Sequence, residues 1–272
     1  MSELTDAGFA DLTAKIARDR GFGCASYKDK CLRRRIAVRM RACAVHSYAD
    51  YVKVLDEDES EYDRLLDALT INVTKLFRNF ETYRVVADTV VPALWDRSIP
   101  TINVWSAGCS SGEEPYSLAA LFHRHAERID ALNELPTRVK VLGSDIDTRS
   151  LAAAAMGHFE EADFSDTPVE LRSRYFSESA PFTIIPEVKR LVRFERRDLL
   201  SDAPPPGAHH LICCRNVLIY FDRDTQERLF EKFHAALAPD GFLVLGKVET
   251  LLGTARSRFA PVDARERVYR PL

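Results

Sequence analysis

The chain is 272 residues long, with 46% hydrophobic residues, 29% charged residues and a formal net charge of −3. This is the profile of a soluble globular protein with room for one large domain, or for a small domain and a mid-sized one. Its apolar runs are too short to span a bilayer, and its net negative charge exerts no global pull on nucleic acid.

The first 95 residues read as helical. Phe9, Leu12 and Ile16 fall on one helical face, and Leu32, Ile36 and Met40 on another. From Lys28 to Arg41 there are seven basic residues against one acid, Asp29. This is a local basic patch on a mildly acidic protein. Lys30, Arg34 and Arg41 share the face opposite Leu32, Ile36 and Met40. Ser47 is placed to cap a helix carrying Tyr48, Tyr51, Val52 and Leu55. Leu65, Leu66 and Leu69 mark another helix, which ends before Asn72. A last helix is expected from Glu81 to Val91, stopping at Pro92.

From Ile99 the pattern alternates. Strands are expected at 102–107, 139–144, 191–195, 209–214 and 241–246, and helices at 113–131, 148–156 and 223–237. Such alternation predicts a mostly parallel sheet covered on both faces, with ligands at the carboxyl ends of its strands. Phe182 to Arg196 reads as an antiparallel hairpin turning near Pro186-Glu187. The stretch from Phe259 to Tyr269 reads as extended chain that closes the sheet. The expected organisation is a helical domain over 1–79, a linking helix over 80–98, and a sheet domain over 99–272 with a β-insertion near 180–197. The six cysteines include no C-x-x-C pair and no zinc spacing, which predicts a reducing, cytoplasmic setting and no metal site.

Five clusters fall where strands or domains end. Val104 to Ser117 reads as strand, small-residue turn and helix start, with Gly108 and Gly112 free to take positive φ. It lacks G-x-G-x-x-G and the P-loop lysine. Glu113 stands where a phosphate would otherwise sit, which suits a ligand carrying hydroxyls and positive charge, such as S-adenosylmethionine. An ordinary strand-to-helix turn is the equal alternative. Asp145 ends the next strand, where a carboxylate can accept both hydroxyls of a ribose; a helix cap is the alternative, and Asp147 fits that better. Asp198 is placed either to accept from an adenine amino group or to sit in a solvated turn. Arg215 and Asn216 end an apolar strand, where buried donors need partners, and Tyr220 follows on a loop. Arg78 lies at the junction of the two halves. It can clamp a carboxylate or make an interdomain salt bridge.

Taken together, these stretches resemble the chemotaxis receptor glutamate methyltransferases, the CheR family. The resemblance rests on Cys31-Leu32-Arg33-Arg34-Arg35-Ile36, Thr74-Lys75-Leu76-Phe77-Arg78, Trp105 through Ser117, Ser144-Asp145-Ile146-Asp147, Cys214 through Phe221 and Pro239-Asp240-Gly241. It implies a class I S-adenosylmethionine-dependent methyltransferase: a Rossmann-like α/β fold with an all-α N-terminal domain and a small antiparallel β-subdomain. It also implies cofactor contacts at Asn72, Thr74, Arg78, Ala107, Glu113, Asp145, Asp198, Leu199, Arg215 and Asn216, and catalytic roles for Arg78 and Tyr220. The product would be S-adenosylhomocysteine and the partners the cytoplasmic helices of receptors, docked by Lys30, Arg34 and Arg41. Nucleic acid, membrane insertion and metal are not expected. Three positions depart from the family pattern: Leu76 for phenylalanine, Asn79 for an acid, and Gly246-Lys247-Val248-Glu249 for Gly-His-Ser-Glu. The residues leave open methyl transfer to another protein or small molecule, and a non-catalytic module that only binds the cofactor.

Overall fold

The computed structural model describes residues 6–70, 73–96 and 99–272. They divide into two compact units: the first four helices together with Tyr220–Thr225, and the remainder. Asn72 lies outside the described residues. The domain boundary expected at 79 falls after the 73–79 junction, which groups with the second unit.

The helical unit contains α1 (Asp6–Arg20), α2 (Asp29–Ala42), α3 (Tyr48–Glu57) and α4 (Glu59–Leu69). Phe9, Leu12 and Ile16 of α1 and Leu32, Ile36 and Met40 of α2 are buried, as their spacing predicts. Ser47 caps α3, its Oγ accepting the Asp50 N–H at 3.1 Å. The basic residues of α2 are sorted by partner. Arg33 bonds Asp6 at 2.7 Å and lies over the Phe9 ring. Arg35 is buried, donates to the Leu69 carbonyl and lies over the Tyr220 ring. Arg39 makes a two-pronged bond to Glu61 at 2.9 and 2.6 Å, and Tyr51 donates to the same carboxylate at 2.8 Å. Burial pushes the Glu61 carboxyl up, but the Arg39 and Tyr51 bonds outweigh it and hold it below its ordinary range. Lys30, Arg34 and Arg41 are exposed and have no ion-pair partner among the described residues.

The second unit is built on a seven-stranded sheet. Its strands are β1 (Ile102–Ala107), β2 (Val139–Asp145), β5 (Val192–Arg196), β6 (His209–Cys214), β7 (Leu237–Leu245), β8 (Phe259–Asp263) and β9 (Val268–Pro271). A separate pair is formed by β3 (His158–Phe159) and β4 (Phe182–Thr183). The large sheet runs β5-β2-β1-β6-β7-β9-β8, parallel through β7 and antiparallel beyond it. Alternate side chains face opposite layers. Val104, Leu211, Cys213, Phe242 and Val244 join the core beside the Glu113–Arg128 helix. On the other face Trp105 packs edge-on to Phe233, with ring centres 5.7 Å apart. The chain runs outward from β1 through β2 to β5, then crosses back to β6. This reversal opens a crevice between the carboxyl ends of β1 and β6.

Two sequence expectations are corrected. Phe182–Arg196 is not a hairpin: β4 pairs with β3, Pro186–Lys189 is a short helical turn, and β5 joins the large sheet beside β2. The small sheet joins the same core as the large one, with Phe164 packed edge-on against Phe176 and Phe182. The helix before the sheet does not stop at Pro92. It runs over Phe80–Val85, widens through a π turn at Val86–Val90 and continues over Val91–Trp95. Pro92 falls where the helix resumes its α register, and there its missing N–H is tolerated.

The sorting of α2 predicts unequal costs of substitution. Arg39→Met removes the two-pronged partner of the Glu61 carboxylate, which is 1% exposed and keeps Tyr51 at 2.8 Å and Arg64 at 3.5 Å, and is expected to destabilise by about 1–3 kcal/mol. Lys30→Ala or Arg34→Ala should stay within about 0.5 kcal/mol of the parent in urea unfolding. Equal losses at the three positions would contradict the division.

Candidate active site

The crevice is floored by the turn that follows β1. Gly108 and Gly112 take φ of +79° and +96°, and a Cβ at Gly108 would lie 2.6 Å from Val217 Cγ2. The N–H groups of Gly108 and Cys109 donate to the Ser144 carbonyl at 2.8 and 3.0 Å, joining this turn to the end of β2. Ala107, the last residue of β1, is fully buried immediately before it. Asp145, at the end of β2, accepts the Ser110 N–H at 2.8 Å and the Asp147 N–H at 3.0 Å. Asp147 itself caps the next helix, accepting from the Arg149 N–H at 2.9 Å.

Glu113 opens the helix behind the turn and is 3% exposed. Ser111 Oγ donates to both its oxygens at 2.8 and 3.0 Å, and the nearby Thr74 side chain favours the ionised form. Burial pushes its carboxyl up to about 7. Burial likewise raises Asp145. Neither acid has a salt-bridge partner among the described residues. The floor therefore offers one buried and one half-buried carboxylate and closely approachable backbone, and no basic group paired to either acid among the described residues. A ligand with a diol and positive charge fits this donor set, and a phosphate does not.

The junction closes one side. Phe77 N–H donates to Ser117 Oγ at 2.9 Å, Leu76 N–H to the Asp163 carbonyl at 2.9 Å, and Asn79 N–H to Asp166 Oδ2 at 2.9 Å. Arg78 Nη1 donates to the Val73 carbonyl at 2.8 Å. Arg215, 7% exposed at the end of β6, reaches back to the junction. Its Nη2 donates to the Arg78 carbonyl at 2.7 Å, and its Nη1 lies 3.7 Å from Glu114 Oε2. Asn216 follows in left-handed backbone at φ +62°. Ala107, Glu113, Asp145, Thr74, Arg78, Arg215 and Asn216 thus all belong to the framework around this crevice.

Two expected residues have bonds of their own. Each Asp198 oxygen accepts one bond within its own turn, from the Leu200 N–H at 2.8 Å and the Ser201 hydroxyl at 2.9 Å, which leaves each a second lone pair, while Leu199 is buried beside it. Tyr220 groups with the helical unit, where its carbonyl accepts the Lys28 N–H at 2.9 Å. Sequence reasoning missed Ser117, Asp163 and Asp166, which anchor the junction. Ser117 lies inside the strongest motif, but nothing in its spacing signals a partner forty positions away. The three family departures are all accommodated. Leu76 is fully buried, Asn79 takes the left-handed conformation that asparagine tolerates, and Lys247 lies 3.5 Å from both Glu81 and Glu266.

Two family models match the chain. One, described as CheR methyltransferase, all-alpha domain, covers residues 7–70; the other, CheR methyltransferase, SAM binding domain, covers residues 72–268. The chain is 33% identical to a chemotaxis protein methyltransferase of Listeria innocua, over 89% of this chain and 90% of that one. It is 31% identical to the chemotaxis protein methyltransferase of Escherichia coli, over 90% and 85% respectively. An uncharacterized 104.1 kDa protein of Rhodobacter capsulatus is 34% identical over 90% of this chain, which spans 26% of that relative's length. The sheet unit is thus a class I S-adenosylmethionine-binding domain, and the crevice is where its residues suit that cofactor.

The raised carboxyl of Glu113 predicts a pH dependence for cofactor binding at this turn. Its folded value is raised from 4.5 to about 7. The unliganded fold therefore holds the extra proton across that window and loses stability as pH rises through it. The ionised form is the one that attracts a cationic ligand. S-adenosylmethionine affinity should therefore rise about tenfold between about pH 6 and pH 8, with proton release. Calorimetry in buffers of different ionisation enthalpy reads this, and Glu113→Gln should flatten the profile. The same slope in parent and variant would remove Glu113 as its source.

Proposed function

The chain belongs to the CheR methyltransferase family, and we propose that it transfers the methyl group of S-adenosylmethionine to glutamate side chains on the cytoplasmic helices of chemotaxis receptors. It is an S-adenosylmethionine-dependent chemotaxis methyltransferase; the residues assigned below are the proposal. The observation that carries it is the bond from the Phe77 N–H to Ser117 Oγ at 2.9 Å, which holds the junction bearing Arg78 against the helix that follows the turn.

S-adenosylmethionine supplies an electrophilic methyl on a sulfonium. Asp145 is assigned to the ribose diol and Glu113 to the positive end of the cofactor. Ala107 and Asn216 are assigned to backbone contact, Asp198 and Leu199 to the adenine edge, and Asn72 and Thr74 to closing the site. A free glutamate carboxyl titrates at roughly 4.3, so the attacking oxygen is already ionised at neutral pH and needs no general base. The work of the chain is then alignment and exclusion of water. Arg78 spends one donor on the Val73 carbonyl. A guanidinium has five, which leaves a fork for the substrate carboxylate. Tyr220 is assigned to lining the transfer site. The fit of Leu76, Asn79 and Lys247 into packed or bonded positions supports a working enzyme over a module that only binds the cofactor. No helix among the described residues is long and apolar enough to cross a membrane. A cytoplasmic location agrees with a substrate on the inner helices of a receptor.

Docking is assigned to the part of α2 that the helical unit does not use. Lys30, Arg34 and Arg41 remain exposed after Arg33, Arg35 and Arg39 are tied to Asp6, Leu69 and Glu61. Acidic receptor helices complement such a face, and exposed contacts are screened over roughly 8 Å at physiological ionic strength.

Tritium transfer from labelled S-adenosylmethionine to receptor fragments, with base releasing the label as methanol, tests the reaction; label on another acceptor class alone would refute it. Arg78→Lys should lower kcat/KM on receptor fragments about ten- to hundredfold, because an ammonium lacks the planar fork. S-adenosylhomocysteine affinity should change less. Parent turnover in that variant would remove the clamp. Reversing Lys30, Arg34 and Arg41 to glutamate should raise the receptor KM, most at low salt, and leave S-adenosylhomocysteine affinity intact. Equal methylation at low and high salt would leave α2 without a docking role.

A further inference from the structure

The acid that ends the Gly246-Lys247-Val248-Glu249 segment has no part in the assignments above, yet it is among the most heavily bonded groups in the sheet unit. Glu249 is 4% exposed. Its Oε2 accepts the Gly246 N–H at 2.6 Å and the Asn216 N–H at 3.0 Å, and its Oε1 accepts the Val217 N–H at 2.9 Å. The Leu218 backbone adds a further bond. No lysine or arginine bonds it among the described residues. One carboxylate therefore gathers main-chain donors from the carboxyl ends of two neighbouring strands, β6 and β7.

The groups it holds are the ones that face the crevice. Asn216 is kept in left-handed backbone, a conformation a non-glycine residue holds only when its surroundings impose it. Arg215, one residue earlier, carries the bond to the Arg78 carbonyl at 2.7 Å. Val217, one residue later, packs so closely on the β1 turn that a Cβ at Gly108 would lie 2.6 Å from it. A shift of this loop would move Asn216, the anchor of Arg78 and the wall behind Gly108 together. Neutralising or displacing the carboxylate frees several buried N–H groups at once, and buried donors without acceptors are costly.

We infer that Glu249 is a positioning residue for methyl transfer, a buried carboxylate that sets the Arg215–Val217 loop in the geometry that binds the cofactor and fixes the junction arginine. This role rests on the assignment of Arg215 and Asn216 to the cofactor site. It is distinct from a packing role. A packing residue sets how much heat the fold survives, whereas Glu249 sets affinity and turnover in molecules that are folded.

The test uses the full chain. Glu249→Gln keeps the size of the side chain but replaces one acceptor oxygen with an NH2 that faces backbone donors. Gly246→Ala leaves the carboxylate charged and pushes it aside, since the new Cβ would lie 2.7 Å from Glu249 Oε2 and 2.9 Å from the Asn216 nitrogen. Both variants should weaken S-adenosylhomocysteine binding in calorimetry by about tenfold or more. Both should also lower kcat, with the receptor-fragment KM within about twofold of the parent and with cooperative unfolding retained. Glu249→Asp keeps the charge and shortens its reach; it should fall between parent and Glu249→Gln, and it replaces the latter if that chain does not fold. A lowered Tm with unchanged affinity and kcat would overturn the inference and leave Glu249 as scaffold. So would a normal Gly246→Ala beside an impaired Glu249→Gln. Failure of the parent chain itself to bind S-adenosylhomocysteine would instead overturn the cofactor assignment on which the inference stands.

Discussion

Arg215 buries a guanidinium at the mouth of β6, and the parts of the site are arranged to satisfy it. A buried charge is tolerated only when it is paired and hydrogen-bonded. Here the partners are the Arg78 carbonyl at 2.7 Å, Asn79 Oδ1 at 3.5 Å, Glu114 at 3.7 Å and the face of Tyr83 at 5.0 Å. Glu114 is itself bonded to Ser106 of β1 at 2.8 Å. A single cation thus ties β1, its following helix, β6 and the junction into one arrangement. The carboxyl ends of the strands cannot drift apart without exposing Glu114 or orphaning the guanidinium.

Buried acids around the crevice fall into two kinds. Glu114 and Glu249 are spent internally, on Arg215 with Ser106 and on backbone N–H groups. Glu113 and Asp145 are held by hydroxyl and backbone donors alone, and burial raises both. The first kind builds the frame, and the second keeps acceptor oxygens for a ligand. Under the proposed assignment a diol meets Asp145 and a positive charge meets Glu113, and the latter would couple binding to proton release.

The basic run of α2 divides in the same way. Arginines at 33, 35 and 39 face acids, a carbonyl or rings inside the helical unit. Only the remaining face is left to meet a partner. The charge proposed for docking therefore need not compromise the packing of Leu32, Ile36 and Met40, which lie on the opposite side of the same helix.

Much of this was legible in the sequence because it depends on local spacing. The faces Phe9-Leu12-Ile16 and Leu32-Ile36-Met40, the Ser47 cap, the strand–helix alternation after Ile99 and the small-residue turn before Glu113 are all short-range patterns. The cluster order placed Glu113, Asp145 and Asn216 at strand ends, and the parallel topology then brought those ends together. What the sequence left undecided depends on partners distant along the chain. Phe182 was expected to pair with the strand after Pro186, whereas it pairs with β3 and packs on the Phe164 ring, and β5 joins the large sheet. Whether Asp198 faced its own turn or an incoming ring, and whether Glu249 was a solvated acid or the clamp on β6 and β7, depended on which backbone N–H groups lay within about 3 Å after folding. Periodicity records which face a side chain takes. Only the folded chain decides which donor it meets there, because a buried polar group takes whatever partner the packing brings near.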